Sequence, residues 1–335
     1  MIKVAINGFG RIGRLVFRIM EEDPEFNVVA INDLTDPEQL AYLLKYDTSH
    51  RKYLENDILY DEENIIVKGR KIRIYKEMDP SKLPWKKLEI DAVYECTGKF
   101  TEKEKAEAHI NAGAKKVIIS APAKGNLKTI VYGVNENTLT GNEKVISAAS
   151  CTTNCLAPVV DVLNKAFGIK KGYMTTVHAY TNDQSILDLA HPKGAKSRRG
   201  RAAAANIIPS STGAASALGK VIPELDGKLD GSALRVPVTT GSVVDLTLEL
   251  NKKVTKEEIN EVFKKKTNET LGYTEDPIVS SDIIGDKHGG VVDGLLTDVL
   301  KTETGQLVKV VAWYDNEMSY SSQMVRTVKY LFKNN

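Results

Sequence analysis

Asn7-Gly-Phe-Gly-Arg-Ile-Gly13 is the stretch on which the fold of this chain turns. It follows a short apolar run, Ile2 to Ile6, and opens a segment, Arg11 to Met20, whose apolar residues Ile12, Leu15, Val16 and Ile19 recur at helical spacing. Gly8, Gly10 and Gly13 stand in G-x-G-x-x-G spacing. In that pattern Gly8 permits the tight turn, Gly10 lets the backbone approach a pyrophosphate, and Gly13 allows helix and strand to pack closely. The helix N-terminus then binds the phosphates. Val28 to Ile31 is apolar again and runs into Ile31-Asn-Asp33, which puts a carboxylate about twenty residues beyond Gly13, in reach of the ribose 2′- and 3′-hydroxyls. That carboxylate would repel a 2′-phosphate, and Leu34-Thr-Asp36 supplies no arginine to bind one, so NAD is expected over NADP.

Strand and helix patterns alternate through residue 150. Asp36 to Lys45 reads as a helix, Ile65 to Val67 and Ile72 to Tyr75 as a hairpin through Lys68-Gly-Arg70, and Ala92 to Tyr94 and Val117 to Ile119 bracket a helix from Thr101 to Ala112. Such βαβ units imply a parallel sheet with right-handed crossovers. After Cys151 the texture changes to longer alternating or β-branched runs: Tyr173 to Tyr180, Ala233 to Val238, Val243 to Leu250 and Leu307 to Trp313. These suit a mostly antiparallel sheet with one covered face. The expected architecture is α/β: a Rossmann-type doubly wound parallel sheet over 1–150, closed by a C-terminal helix over 318–335, and an α+β catalytic domain over 151–317. Between Tyr180 and Ile208 lies Asn182 to Ala205, polar, rich in lysine and arginine, and too long for an ordinary connection.

The 335 residues exceed what one hydrophobic core usually supports, and 42% hydrophobic content is ample for two. Forty-six basic against 44 acidic residues, net +2, give no global electrostatic case for a nucleic-acid or membrane partner. Three cysteines, Cys96, Cys151 and Cys155, argue against a secreted disulfide framework and for a reducing, cytoplasmic setting. The chain enters a strand pattern at its start without a signal-peptide pattern, and no apolar run approaches the roughly 18–20 residues that cross a bilayer.

Ser147-Ala-Ala-Ser-Cys-Thr-Thr-Asn-Cys155 places Cys151 where a strand-like stretch gives way to a helix-like one. A thiol at the first turn of a helix feels the positive end of the dipole, which favours the nucleophilic thiolate. The alternative is a small buried hydrophobe. Of five histidines, only His178 lies within an apolar strand-like run, where it can serve the thiol as acid and base or be a core histidine satisfied by backbone. His109, on the helix expected from Thr101 to Ala112, reads as a surface residue. Cys155, one helical turn beyond Cys151, makes no zinc signature with it, so it reads as structural and no metal is expected. Pro158 in the same helix should kink it. Ser150, Thr152, Thr181, Thr212 with Gly213, Arg199 and Arg235 are residue types that hold a phosphate, and Thr212-Gly213 opens an expected helix from Ala214 to Lys220. A dinucleotide domain followed by a thiol and a histidine points to thiol-dependent oxidation of an aldehyde.

Ile6 to Arg14, Ile31-Asn-Asp33, Ser120-Ala-Pro-Ala-Lys124, Ser147 to Cys155, Thr176-Val-His-Ala-Tyr-Thr-Asn-Asp183, Ser210-Ser-Thr-Gly-Ala214, Leu234-Arg-Val-Pro237 and Trp313-Tyr-Asp-Asn-Glu317 together resemble the glyceraldehyde-3-phosphate dehydrogenase family, in the family's order and across the chain. The resemblance implies phosphorylating oxidation of D-glyceraldehyde 3-phosphate to 1,3-bisphosphoglycerate, with a Cys151 hemithioacetal and thioester, His178 as acid and base, and inorganic phosphate as the second substrate. It implies Arg11, Ile12, Asp33, Ser120 and Asn316 on the cofactor, beside Gly8, Gly10 and Gly13. It also implies Ser150, Thr152, Thr181, Arg199, Thr212, Gly213 and Arg235 on the phosphates, and a homotetramer in which the loop from Asn182 to Arg201 meets a neighbour. A related phospho-aldehyde such as erythrose 4-phosphate, or a non-catalytic binding role, are the other readings. The chain departs from the common pattern at Met78, where many members carry arginine, at Ala190, where proline is frequent, at Val238 to Ser242, and at Met318-Ser319 after Glu317.

Overall fold

The computed structural model describes residues 1–333 and divides into two compact units, Met1–Ser150 with the chain from Ser321 onward, and Cys151–Tyr320. In the first, β1 (Ile2–Asn7), β2 (Phe26–Asn32), β3 (Ile58–Tyr60), β4 (Asn64–Val67), β5 (Arg70–Tyr75), β6 (Ala92–Glu95), β7 (Lys116–Ile119) and β8 (Val145–Ser147) form one sheet in the order β3-β4-β5-β2-β1-β6-β7-β8. The run β5-β2-β1-β6-β7-β8 is parallel. The β4–β5 hairpin turns through Lys68 and Gly69, both at positive φ, the conformation a two-residue turn between twisted strands requires. The helices are α1 (Arg11–Glu21), α2 (Pro37–Lys45), the single turn α3 (Trp85–Leu88) and α4 (Lys103–Asn111). Strand order reverses at β1, so Asn7, Asn32 and Glu95 share the carboxyl edge where an open α/β sheet binds ligands.

The parallel strands read as near-continuous apolar runs because both faces are covered: Val4, Ala5 and Ile6, Ala30 and Ile31, and Val117 to Ile119 are all buried. Burying a side chain of this size is worth about 1.5–3 kcal/mol, and this layer is the core of the first unit.

The second unit opens with α5 (Cys151–Phe167), which continues through Pro158 as one helix. The expected kink does not end the element; its flanks, Ala157 and Val159, are buried. Then come β9 (Ile169–Ala179), β10 (Ile208–Ser211), β11 (Leu229–Val236), β12 (Ser242–Leu250), α6 (Lys256–Lys266), β13 (Leu271–Thr274), β14 (Gly290–Asp293), β15 (Asp298–Thr302), β16 (Gly305–Tyr314) and α7 (Met318–Lys333). The sheet runs β10-β11-β9-β12-β16-β14-β13, with β15 beside β16. It is antiparallel except for β11 on β9 and β13 on β14. Met174, Thr176 and His178 point inward along β9, alternating with the exposed or half-buried Tyr173, Thr175 and Val177, a period of two that leaves one face for α5.

From Ser321 the last helix lies with the first unit, where Gln323 donates to Tyr132 O at 2.9 Å and Lys329 pairs with Asp23 at 2.7 Å. The helix expected to reach 335 is described to Lys333; residues 334–335 lie outside the described residues. The helix expected over Ala214–Lys220 is instead a five-residue 3-10 turn, Ser216–Lys220. Gly219 within it lowers helix propensity. No helix among the described residues is long and apolar enough to cross a membrane.

Candidate functional site

The glycine turn shows why each glycine is there. Gly8 sits at φ +90°, and a Cβ on Gly13 would stand 2.1 Å from Gly8 O, so neither position tolerates a side chain. A Cβ on Gly10 would meet nothing within 4 Å. Nothing in the chain itself therefore holds position 10 to glycine. No side chain caps α1 and its first turn carries no carboxylate, which leaves the positive end of the dipole for an external anion. Asp33 ties the turn to β2: Phe9 N donates to its Oδ2 at 2.7 Å and Thr35 N to its Oδ1 at 3.0 Å. A cavity of about 400 Å³ lies over these residues, lined by Asn7, Gly8, Gly10, Asn32, Asp33 and Thr97 among others. Leu34 and Met78 stand exposed at its edge. The residues fit a dinucleotide. The Arg11 guanidinium pairs with Asp47. Ser120 N donates to Glu95 O at 3.0 Å, beyond the end of β7.

One expectation on this side is overturned. His109 is not on the surface but fully buried, with Glu95 at 3.0 Å from Nε2 and Trp85 Nε1 at 3.0 Å from Nδ1. It lies three residues after the buried Ala106, on the same inward face of α4, a face too poor in apolar residues for periodicity to reveal.

In the second unit, Cys151 is the first residue of α5 and His178 the penultimate residue of β9, and Cys151 Sγ lies 3.4 Å from His178 Nε2. Ala149, two residues before the thiol, is buried at φ +58°, in the left-handed region that an alanine occupies only under constraint. His178 Nδ1 contacts Ala179 O at 2.7 Å. The carbonyl can only accept, so the proton sits on Nδ1 and Nε2 turns its lone pair to the thiol. Arg235, in register with His178 across β11 and β9, brings Nη1 to 3.0 Å from Nδ1 and donates to Ala179 O and Thr181 Oγ1, both at 2.9 Å.

These neighbours set the charges. Burial and then the Arg235 cation push His178 down to about 3, so the imidazole is neutral over the physiological range. For Cys151 burial works the other way and raises the thiol above its ordinary value, while Arg235 and hydrogen bonds at Thr152 pull it down. The helix terminus alone does not make a resting thiolate: desolvation outweighs it. Because Cys151 stays half-buried, it keeps enough access to water for that push to fall short of full burial. The resting pair is thiol and neutral imidazole, one proton transfer from thiolate and imidazolium.

Behind the pair is a hydroxyl chain that sequence reading missed: Thr152 Oγ1 lies 2.9 Å and Thr176 Oγ1 2.8 Å from the buried Tyr314 hydroxyl. The hydroxyl of Thr152 is thus committed inward. Thr181 and Arg199 both engage Asp183, a second missed residue, so Thr181, Asp183, Arg199 and Arg235 form one polar cluster beside His178. Thr212 and Gly213 follow β10, whose Ile208 is in register with Arg235; Ala214 N donates to Thr212 Oγ1 at 3.2 Å. Asn316 is buried, and its Oδ1 accepts from Thr240 Oγ1, Gly241 N and Ser242 Oγ at 3.3, 3.1 and 2.9 Å, which fixes the orientation of its amide. Ser150 closes the first unit, directly before the thiol. Cys155 is buried against Gly290, and burial pushes its thiol up, which suits a packing role.

Residues 2–103 match the family model for the glyceraldehyde 3-phosphate dehydrogenase NAD binding domain, and residues 150–316 match its C-terminal domain. The chain is 60% identical over 333 residues to a glyceraldehyde-3-phosphate dehydrogenase of Clostridium pasteurianum, covering 99% of both chains. It is 59% identical to that of Clostridium acetobutylicum over the same length, and 54% identical over 334 residues to that of Streptococcus pyogenes.

Proposed function

Given that the chain belongs to the glyceraldehyde-3-phosphate dehydrogenase family, we infer that Cys151 and His178 carry out the covalent steps of its reaction. The protein is an NAD-dependent oxidoreductase that oxidises glyceraldehyde 3-phosphate. The observation that supports the assignment of roles is the 3.4 Å approach of Cys151 Sγ to an imidazole whose other nitrogen is held by Ala179 O.

The chemistry follows from that geometry. His178 Nε2 takes the thiol proton as Cys151 Sγ adds to the aldehyde carbon, and returns it to the oxygen, giving a hemithioacetal. Nε2 then removes the hydroxyl proton as the carbon–hydrogen bond breaks with its electron pair, leaving a thioester on Cys151. NAD, when bound, supplies the acceptor for that hydride. A phosphate oxygen attacks the thioester carbon, the sulfur leaves as thiolate, and 1,3-bisphosphoglycerate is released. The departing thiolate takes the proton gathered on His178, which restores thiol and neutral imidazole, and the proton carried in by the attacking phosphate passes to solvent.

Arg235 has two parts in this account: its cation favours thiolate over thiol, and with Thr181 and Arg199 it binds phosphate by displacing the hold of Asp183. Ser150 and Thr152 offer backbone N–H groups at the start of α5, and Thr212 with Gly213 offer a hydroxyl and a turn. Gly8, Gly10, Arg11, Ile12, Gly13, Asp33, Ser120 and Asn316 are the residues assigned to the cofactor.

We also place the enzyme in a homotetramer, in the cytoplasm. Ile186, Leu187 and Leu189 stand 81%, 75% and 73% exposed in the loop after Thr181, apolar surface that a subunit contact would cover. Three free cysteines, Cys96, Cys151 and Cys155, suit a reducing compartment. The test is NAD reduction by glyceraldehyde 3-phosphate, with and without inorganic phosphate, on wild type and Cys151→Ser. Phosphate-dependent turnover in the wild type and none in the variant is expected; full activity in Cys151→Ser would overturn the covalent route.

A further inference from the structure

The buried acid and histidine of the first unit take no part in the chemistry above. Glu95, at the end of β6, is 1% exposed, and His109 is fully buried. Two buried titratable side chains at the carboxyl edge of a sheet cost stability unless they are fully hydrogen-bonded. Here they are, and the direction of each bond can be read. The indole N–H of Trp85 can only donate, so His109 Nδ1 is the acceptor at 3.0 Å and the ring proton sits on Nε2. Nε2–H therefore donates to Glu95 Oε2 at 3.0 Å. Trp85 locks the tautomer, and the tautomer locks the carboxylate.

The two carboxylate oxygens grip the glycine turn from both sides. Oε2 also accepts from Asn7 Nδ2 at 2.5 Å, the residue directly before Gly8. Oε1 accepts from Thr97 N at 2.9 Å and from Thr97 Oγ1 at 2.5 Å. Thr97 in turn packs on Gly8, where a Cβ would lie 2.8 Å from Thr97 N. Asn7 passes the constraint on: its Oδ1 accepts from Asn32 Nδ2 at 2.7 Å, and Asn32 Oδ1 accepts from Glu77 N at 2.9 Å. Asn7, Asn32, Glu77 and Thr97 all line the cavity over the turn.

We propose that Trp85, His109 and Glu95 are positioning residues for NAD: a buried relay that holds the walls of the dinucleotide cavity at binding distance from outside the cavity itself. The inference rests on NAD occupying the Gly8–Gly13 turn. None of the three touches the reacting atoms, so the relay acts on cofactor affinity and not on the chemical step.

The experiment is an equilibrium titration of the full-length enzyme with NAD, paired with steady-state kinetics, on four variants. Leaving Glu95 without its His109 donor costs the bound-like turn about 1–3 kcal/mol, and affinity falls with the fraction of competent molecules, so His109→Leu should raise the NAD Kd by about 5- to 150-fold. The NAD KM should follow, while kcat at saturating NAD and the aldehyde KM stay within about twofold. His109→Gln, whose amide donates to Glu95 and accepts from Trp85, should recover most of the affinity. Trp85→Phe keeps the Glu95 contact but releases the tautomer, and should raise Kd at least about threefold; it carries the test if His109→Leu does not fold. A wild-type Kd in His109→Leu, or in Trp85→Phe where the former does not fold, overturns the relay, as does equal loss of kcat and both KM values. Gly10→Ala separates the two claims. If it weakens NAD and His109→Leu does not, the relay is wrong; if it leaves NAD untouched, the cofactor is not on the turn.

Discussion

Arg235→Leu should make Cys151 less reactive by a calculable amount, before any substrate is added. Arg235 Nη1 is 3.0 Å from His178 Nδ1, and His178 Nε2 is 3.4 Å from Cys151 Sγ. With about 2 Å across the ring, the cation stands within about 9 Å of the sulfur, and at an effective dielectric of about 20 a unit charge there favours thiolate by roughly 2 kcal/mol or more. Salt screening trims this to about 1.4 kcal/mol for a half-buried group. The sign is fixed. The thiol is already raised by burial, and Arg235 is the largest influence lowering it, so removing Arg235 moves the ionisation further up and the reactive thiolate appears only at higher pH. His178 moves up as well, toward its ordinary value, because Arg235 is second only to burial in holding it down. The assay is the pH dependence of iodoacetamide alkylation at the Cys151 peptide, read by mass spectrometry so that Cys96 and Cys155 do not enter. The midpoint should shift up, and alkylation at a fixed pH below it should slow by about tenfold. An unchanged or lowered midpoint would mean that Arg235 does not tune the thiol and that the electrostatic account of the pair is wrong.

Three further outcomes follow from the same contacts. Gly10→Ala should leave the melting temperature within about a degree while raising the NAD KM, whereas Gly13→Ala, forced against Gly8 O, should cost several degrees by calorimetry. Tyr314→Phe removes the hydroxyl that joins Thr152 and Thr176, and should lower stability by about 1–3 kcal/mol in urea unfolding; a smaller change would show that the two threonines find other partners. Light scattering on the purified protein should give four chains per particle. Replacing Ile186, Leu187 and Leu189 by serine should lower that mass, and an unchanged tetramer would free the loop of that role.

What could be read from residues alone was whatever has a short-range signature. The glycine spacing and Asp33 announce a dinucleotide turn because each glycine answers a local steric demand, and β9 shows its buried face through a period of two. The cysteine was legible as a candidate but its charge state was not, since that depends on how far β9, β11 and α5 exclude water from one sulfur. Arg235 and Asp183 became neighbours of His178 only through a strand register and a loop that carry no sequence marker. His109 was misread for a related reason: on a helix with few apolar residues, a polar side chain signals burial only when its partners, Trp85 on a turn and Glu95 on a strand, are known. Tyr314 is the same case on a strand, an aromatic that looks like ordinary core until its hydroxyl is seen between two threonines.

Between oxidation and phosphate attack, an acyl group should rest on Cys151. Rapid mixing of enzyme and NAD with excess glyceraldehyde 3-phosphate, in the absence of inorganic phosphate, measures it directly. The prediction is a burst of about one NADH per chain, an acyl mass on the Cys151 peptide, and release of that mass with steady turnover when phosphate is added. Steady turnover without phosphate, or a burst with no mass on Cys151, would contradict it.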